Sequence, residues 1–335
     1  MEVKPMAQPH PFKPKEPLMA KVLISLVGHQ PLPLLLVIKH LQPDKVILIG
    51  SKRTKEIRSR LKALVQEQSA TSNHQVEILD SPNVDPWNFL SIPEWFENVI
   101  LPDELELGDE LLCDVTGGTK AMSIGLMRIA MKYKAKILYL DSEGADNRLW
   151  QYSVQRNALQ DDIALVQDGN AKVLAPLLTI QDLFDVYLGK GINIKPGPIK
   201  SEVGARFEAA VLDGFKAYID EARTSVCIDG QPDIDIILRR RNKFAVVECK
   251  SGNLEMKAIQ QLNNIASERY LGTYTAKILA LAKDDKPEIQ KTARDYHGFH
   301  LLKVTDWRDG QPWSEVSQAE FQKIAETAFN SLVEE

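Results

Sequence analysis

The chain has 335 residues, 44% of them hydrophobic and 26% charged, and a formal net charge of −5. That length suits two domains of ordinary size, each with its own core, and the charge excludes a protein that draws nucleic acid by its overall field, so any such contact needs a local basic surface. The cysteines Cys113, Cys227 and Cys249 form no C-x-x-C pair, which argues against a disulfide framework or structural zinc and fits a reducing cytoplasm, and no run of about 18 apolar residues offers a membrane span.

Residues 1–20 carry prolines at 5, 9, 11, 14 and 17 and read as a disordered leader. From Lys21, short apolar runs alternate with helical stretches. KVLISLV is a strand, and PLPLLLVIKHL is helical in length, its prolines suited to a first turn. KVILIG, QVEIL, DELLCDV and AKILYLD are further strands. Between them, TKEIRSRLKALVQEQ is a charged amphipathic helix. The stretch from Asp85 to Val99 is expected to be helical, with Pro86 near its start, and KAMSIGLMRIAMKY follows the fourth strand as a helix. RLWQYSV adds one strand more. Nearly all-apolar strands alternating with helices indicate a parallel sheet covered on both faces, so residues 21–155 form an α/β domain. Over residues 156–200 there is one helix, TIQDLFDVYL, then GKGINIKPGPIK, whose glycines and prolines mark a connector. Residues 201–335 run helix (about 202–220), strand, strand hairpin, helix, strand, helix: a mixed-sheet or α+β domain.

The most informative stretch is QPDIDIILRRRNKFAVVECKSG, two β-runs around a polar turn. A symmetric turn centred between Arg241 and Asn242 sets Asp235 opposite Glu248, Asp233 opposite Lys250 and Ile237 opposite Val246. Side chains alternate along a strand, so these six share one face. The other face carries Ile234, Ile236 and Leu238 against Cys249, Val247 and Ala245, all apolar. Two carboxylates roughly 5 Å apart repel unless something compensates, and a hard divalent cation does so through their oxygens. Lys250, on the same side, can reach the same place. In the preceding helix, Val211, Leu212, Phe215 and Ile219 make an apolar stripe. At about 100° per residue Glu208 falls within it, and a buried carboxylate needs a partner or a metal. An ordinary surface hairpin with a Glu/Lys pair is the plainer alternative, and E-x-K alone is common.

A second constellation closes the fourth strand: Thr116-Gly117-Gly118-Thr119-Lys120, between a buried strand and a helix. Glycines let a backbone approach a ligand, and a helix start offers N–H groups to an anion. Gly28-His29-Gln30 and Gly50-Ser51 end the first and second strands at the same edge, where ligands of open α/β sheets bind. The spacing is neither a Walker A loop nor G-x-G-x-x-G. Turn chemistry alone is the competing explanation.

Gly204-x-Arg206-Phe207-Glu208, then D-I-D, then E-C-K, resembles the PD-(D/E)xK nuclease superfamily, with its restriction-endonuclease-like fold. The resemblance implies that Asp235, Glu248, Glu208 and the Cys249 carbonyl hold Mg²⁺ or Mn²⁺ and that Lys250 is catalytic. SLVGHQPLPLL and DVTGGTKAMSIGL resemble the ligand loops of the CARF domain, the CRISPR-associated Rossmann-like fold. That resemblance covers nearly everything after residue 20 when the two domains are taken together. It implies a cytoplasmic homodimer, without membrane attachment, activated by a cyclic oligoadenylate, most often cyclic tetra-adenylate. It also implies metal-dependent cleavage of DNA or RNA in antiviral defence, and makes Gly28, Gln30, Ser51, Thr116, Gly117, Gly118, Thr119 and Lys120 ligand candidates. The alternative is a ligand-binding regulator or scaffold with an inactive nuclease-like module. Arg239, Arg240, Arg241 and Lys243, at the hairpin turn, are expected either to grip a phosphate backbone or to be solvated. Trp307 and Trp313 are expected to be packing residues, and Met122 to lie beneath the ligand loop.

Overall fold

The computed structural model describes residues 19–79, 83–101, 105, 108–157, 162–189, 194–196, 202–228, 233–267, 270–283 and 299–330. The expected leader falls outside these up to residue 18. Ala20 is already tied down: its N–H donates to the Asp109 carboxylate and its carbonyl accepts from Glu110.

The first sheet is built on five parallel strands, β1 (Lys21–Leu26), β2 (Lys45–Ile49), β3 (Glu77–Leu79), β4 (Glu110–Asp114) and β5 (Lys136–Asp141). They lie in the order β3-β2-β1-β4-β5. Helices α1 (Pro31–Leu41) and α2 (Lys55–Ala70) cover one face, and α3 (Ser91–Trp95) and α4 (Lys120–Tyr133) the other. Alternation along β1 shows why the run is apolar throughout. Leu23 joins the core with Leu35 and Leu61, while Val22, Ile24 and Leu26 join the core with Ile92, Met122 and Leu126. The strand order reverses between β1 and β4, so the loops after those two strands flank the crevice where such sheets take ligands.

The helix expected from Asp85 begins only at Ser91. Asp85 and Asn88 instead accept the N–H groups of Trp87 and Leu90, at 3.0 and 2.9 Å. These side-chain turns compete with a helical start. Antiparallel β6 (Arg148–Asn157) adds to the sheet as expected, and β7 (Asp162–Gln167) and the short β8 (Lys172–Val173) pair with it. Both lie inside the stretch that composition marked as connector, so the first sheet runs on past residue 155.

Helix α5 (Ile180–Tyr187) opens with a reciprocal cap between Thr179 and Asp182. Asp182 is buried, yet its carboxylate takes Lys39 Nζ at 2.6 Å and Gln68 Nε2 at 2.8 Å, so α5 is fastened to both α1 and α2. Leu183, Phe184 and Tyr187 enter a hydrophobic core that continues into the second domain through Ile237, Val246, Ile259 and Leu279. The connector helix is therefore a wedge between two sheets.

The second sheet has the order β14-β13-β12-β11-β10-β9. Its strands are β9 (Ile194–Pro196), β10 (Glu221–Ile228), β11 (Ile234–Arg240), β12 (Lys243–Lys250), β13 (Ala276–Leu281) and β14 (Phe299–Lys303). β9 to β12 are antiparallel, and β12 to β14 are parallel, as a mixed-sheet domain requires. Helices α6 (Glu202–Phe215) and α8 (Glu315–Asn330) pack on the face carrying Ile236, Leu238 and Val247, and α7 (Met256–Ile265) on the face carrying Ile237 and Val246. Strand β14 was not expected from the sequence. Trp307 packs edge-on against Phe207, and Trp313 against Phe321 while donating to the Ala210 carbonyl, so both tryptophans are packing residues as expected.

Candidate functional site

The β11–β12 register pairs Ile236 with Val247, Ile237 with Val246 and Arg240 with Lys243, as a turn centred between Arg241 and Asn242 demands. Continued by one residue, it sets Asp235 opposite Glu248. There the ladder gives way to a side chain: the Asp235 carboxylate accepts the Cys249 N–H at 2.6 Å. Both acids are 4% exposed. Lys250 Nζ sits 2.6 Å from Glu248 Oε1, the i, i+2 contact that strand alternation predicts. One assignment changes. Ile234 joins the core of Ile237 and Val226 instead of that of Ile236 and Leu238, because β11 is at its end there and no longer follows the flat alternation of the paired segment.

Glu208 is 6% exposed, as its place in the apolar stripe requires. Its neighbours Phe207 and Val211 pack on the Ile236 face of the hairpin. Among the described residues, no group of three or more acidic, histidine or cysteine side chains is arranged to hold an ion. The fold thus brings Asp235, Glu248 and Lys250 together, and it does not gather Glu208 with them as a ready triad. The donor chemistry still fits a divalent cation: two buried carboxylates on facing strand positions are hard ligands, and Mg²⁺ commonly takes only one or two, with waters completing its shell.

The basic hairpin tip is largely engaged by protein groups, while Arg241 keeps a side chain that is 54% exposed. Arg239 is bound to Glu221 at 2.8 Å, and Arg241 to Asp146 of the first domain. The Asn242 side chain accepts the N–H groups of Leu177 and Leu178 at 2.9 and 3.1 Å and donates to the Ala175 carbonyl at 2.9 Å. Lys243 donates to the Ser142 carbonyl. Arg241 holds a left-handed φ of 54°, and its N–H is fixed by the Asp220 carboxylate. The tip is a plug seated between the domains. Burial draws the Lys243 ammonium down to a pKa of about 8, with Asp141 opposing the shift.

At the switch point of the first sheet, Gly117 lies against β1: a Cβ there would be 2.1 Å from the Leu26 carbonyl oxygen, and one on Gly28 would be 3.1 Å from the Gly118 nitrogen. The glycines let the two loops touch each other. Gly118 has φ +76° and rests on Met122, which lies beneath the loop as expected. Asp114, fully buried, accepts the Thr116 N–H at 3.0 Å and the Ser25 hydroxyl at 3.2 Å. Burial raises its pKa and those hydrogen bonds oppose the rise.

These loops open onto a cavity of about 380 Å³ lined by Gly28, Gln30, Thr116, Gly117 and Gly118, and also by Asn242 and Lys243 of the second domain. Other candidates stand apart. Thr119 caps α4 by accepting the Met122 N–H at 3.2 Å and donates to the Pro86 carbonyl, Lys120 is exposed in the first turn of α4, and Ser51 is a buried cap of the turn at Lys52–Thr54. None of the three lines the cavity. Gln30 does more than line it: its amide donates to Thr273 at 2.7 Å and accepts the Tyr187 hydroxyl at 2.6 Å. No motif pointed to Tyr187, Thr273 or Asn147. Tyr187 and Thr273 meet on Gln30 only when the two domains come together.

Residues 22–167 match the family model of the Card1 CARF domain. The N-terminal half carries a CARF domain, and the second domain resembles the PD-(D/E)xK-type nuclease fold. Among solved structures it is similar to Can2 from Sulfobacillus thermosulfidooxidans, in complex with cyclic tetra-adenylate, at 16% identity and a TM-score of 0.67, over 91% of this chain and 99% of that one. It is similar to VC1899 from Vibrio cholerae at 11% identity and a TM-score of 0.66, over 91% and 97%. A type III CRISPR defence DNA nuclease activated by cyclic oligoadenylate matches at 15% identity and a TM-score of 0.60, over 91% of this chain and 51% of that one. At such identities the likeness is one of fold. A comparison with curated proteins finds no match. Among the described residues, no helix is long and apolar enough to cross a membrane.

Proposed function

We propose that the protein is a metal-dependent endonuclease switched on by a cyclic oligoadenylate, with cyclic tetra-adenylate the first candidate, and that it cuts DNA or RNA in type III CRISPR antiviral defence. One observation carries the proposal. A single hairpin has its tip in the cavity of the CARF loops and, about five residues or ~17 Å away, its acids beside a lysine. A ring of phosphates is the kind of ligand that loop N–H groups and ammonium groups take. The Can2 complex with cyclic tetra-adenylate and the defence nuclease activated by cyclic oligoadenylate support the same assignment.

In the nuclease domain, Asp235, Glu248 and the Cys249 carbonyl would hold Mg²⁺ or Mn²⁺, with Glu208 as a further ligand. Such an ion supplies, when bound, an activated water and neutralisation of phosphate charge. Asp235 keeps the end of β12 in place through the Cys249 N–H. Lys250, fixed on Glu248, presents a cation to the phosphate, where charge grows during hydrolysis. The protein acts as a homodimer, as a ring of two-fold symmetry calls for. Exposed Trp87 and Phe89, beside the second ligand loop, and Ile124 on α4 offer an apolar face for that pairing.

The test is one assay: labelled plasmid, single-stranded DNA and RNA, with Mn²⁺, with and without cyclic tri-, tetra- and hexa-adenylate. The expected result is cleavage of at least one substrate that depends on one ring and stops with EDTA. Binding of a ring without any cleavage would leave a sensor with an inactive nuclease-like module. Cleavage indifferent to every ring would remove the activator.

A further inference from the structure

The cavity under the ligand loops has a wall that those loops do not supply. Among its polar groups that are more than nine-tenths buried are Lys243, from the hairpin tip, and Asn147, from the loop between β5 and β6, each 6% exposed. Asn147 Nδ2 donates to the Ser142 hydroxyl at 2.9 Å. Its Oδ1 is buried and has no hydrogen-bond partner. An unmatched buried acceptor is costly and uncommon, and calls for a donor. Lys243 is a three-donor group, and the Ser142 carbonyl takes one of the three. An amide and an ammonium, both anchored on Ser142, therefore belong to residues that line one cavity.

Resting on the proposal that the CARF loops take a cyclic oligonucleotide, we infer that Asn147 and Lys243 form a nucleotide-reading pair for it, with Lys243 contacting a phosphate and Asn147 Oδ1 accepting from the exocyclic amino group of a base. The amide oxygen, left without a donor, gives the pair its selectivity. Adenine offers an amino group at that edge. Hypoxanthine offers a carbonyl there, which would set two acceptors face to face. Lys243 also gives the ligand a contact on the second domain, on the strand that ends in Glu248 and Lys250. A ligand held by both domains favours the arrangement in which both contacts are made, and this differential affinity is what a switch requires.

The experiment is calorimetric titration of the full-length protein with cyclic tetra-adenylate and with cyclic tetra-inosinate. It is repeated on Lys243→Met, Lys243→Arg, Asn147→Ser and Arg241→Ala, each first shown to melt cooperatively. Lys243→Met is expected to weaken the adenylate ring about tenfold or more, the scale of a lost charge-assisted contact. Lys243→Arg should retain most of the affinity. Arg241→Ala, which breaks an interdomain ion pair outside the cavity, should bind like the parent. The inosinate ring should bind the parent about tenfold more weakly, and Asn147→Ser should narrow that gap. Binding by Lys243→Met within about twofold of the parent overturns the phosphate contact, and equal binding of the two rings by the parent overturns the amide contact, while the CARF assignment stands in both cases. Failure of the parent to bind any of the tri-, tetra- or hexa-adenylate rings overturns that assignment and this pair with it.

Discussion

The Gln30 amide and the Thr273 hydroxyl lie 243 residues apart in sequence and share a hydrogen bond of 2.7 Å. Gln30 ends the loop between β1 and α1, and Thr273 lies in the turn after α7. Tyr187, at the end of the connector helix, grips the same amide from its other side. Three segments of the chain thus meet on one side chain. Movement of the loop upon ligand binding must either carry the second domain along or break these bonds.

Thr273→Val is expected to loosen that link without touching a ligand loop. The ratio of cleavage with and without cyclic tetra-adenylate should fall about tenfold, within the range of allosteric coupling energies. Initial rates with labelled substrate measure it. An unchanged ratio would show that activation bypasses this contact.

Gly272 has φ +84°, and a Cβ there would lie 2.2 Å from the Tyr187 hydroxyl. Gly272→Ala therefore combines a strained backbone with overlap, and a loss of about 2 kcal/mol or more is expected. Urea titration of the full chain reads it. An unshifted midpoint would mean that the Tyr187 ring moves aside freely.

Asp235→Asn, Glu248→Gln and Lys250→Ala should each lower cleavage about a hundredfold or more while the activator still binds. Glu208→Gln should cost less, because α6 packs on the other face of the hairpin. Single-turnover rates at saturating Mn²⁺ would rank the four. A loss at Glu208 as deep as at Asp235 would promote it to an equal ligand.

His300, on β14, has a buried Nε2 with no hydrogen-bond partner, and burial lowers its pKa from 6.5 to about 4. Between those two values the unfolded chain binds the proton and the folded chain does not, so stability falls as the pH falls through that window. His300→Phe should flatten this part of the profile. Urea midpoints of parent and variant at pH 7 and pH 4.5 should diverge; parallel profiles would place the acid sensitivity elsewhere.

Buried Asp114 accepts from Thr116 and Ser25. Asn at this position can keep the Thr116 contact without a buried charge, whereas Asp114→Ala leaves two donors unmatched, at about 1–3 kcal/mol. Thermal melts should rank Asp114→Asn above Asp114→Ala by roughly that amount, and equal melting of the two would show that the ligand loop holds its shape without the carboxyl group.

The hairpin was legible from its residues because strand pairing is local. Once the turn centre was fixed between Arg241 and Asn242, the register, the shared face of the acids and the reach of Lys250 followed from alternation. The parallel strands β1 to β5 were legible for a related reason, since burial on both faces writes an unbroken apolar run. The start of α3 was misjudged because Asp85 and Asn88 hold turns of their own. Strands β7 and β8 were missed inside the stretch marked as connector: β7, DIALVQ, is rich in apolar residues, but Ile163, Leu165 and Val166 stay exposed at the sheet edge, so no buried face writes a pattern there. The use of the basic tip escaped altogether: the partners of Arg241, Asn242 and Lys243 lie roughly 65 to 100 residues away, and nothing in RRRNK tells a plug from a nucleic-acid grip.

Leu183, Phe184 and Tyr187 join Leu35 and Leu61 on one side to Ile237, Val246 and Ile259 on the other, in a single oily mass. Cutting the gene between the two halves would therefore skin each fragment and leave a greasy wound on both. Neither half is expected to stand alone, and heat or urea should melt them in one step, because half of that mass has nowhere else to hide from water.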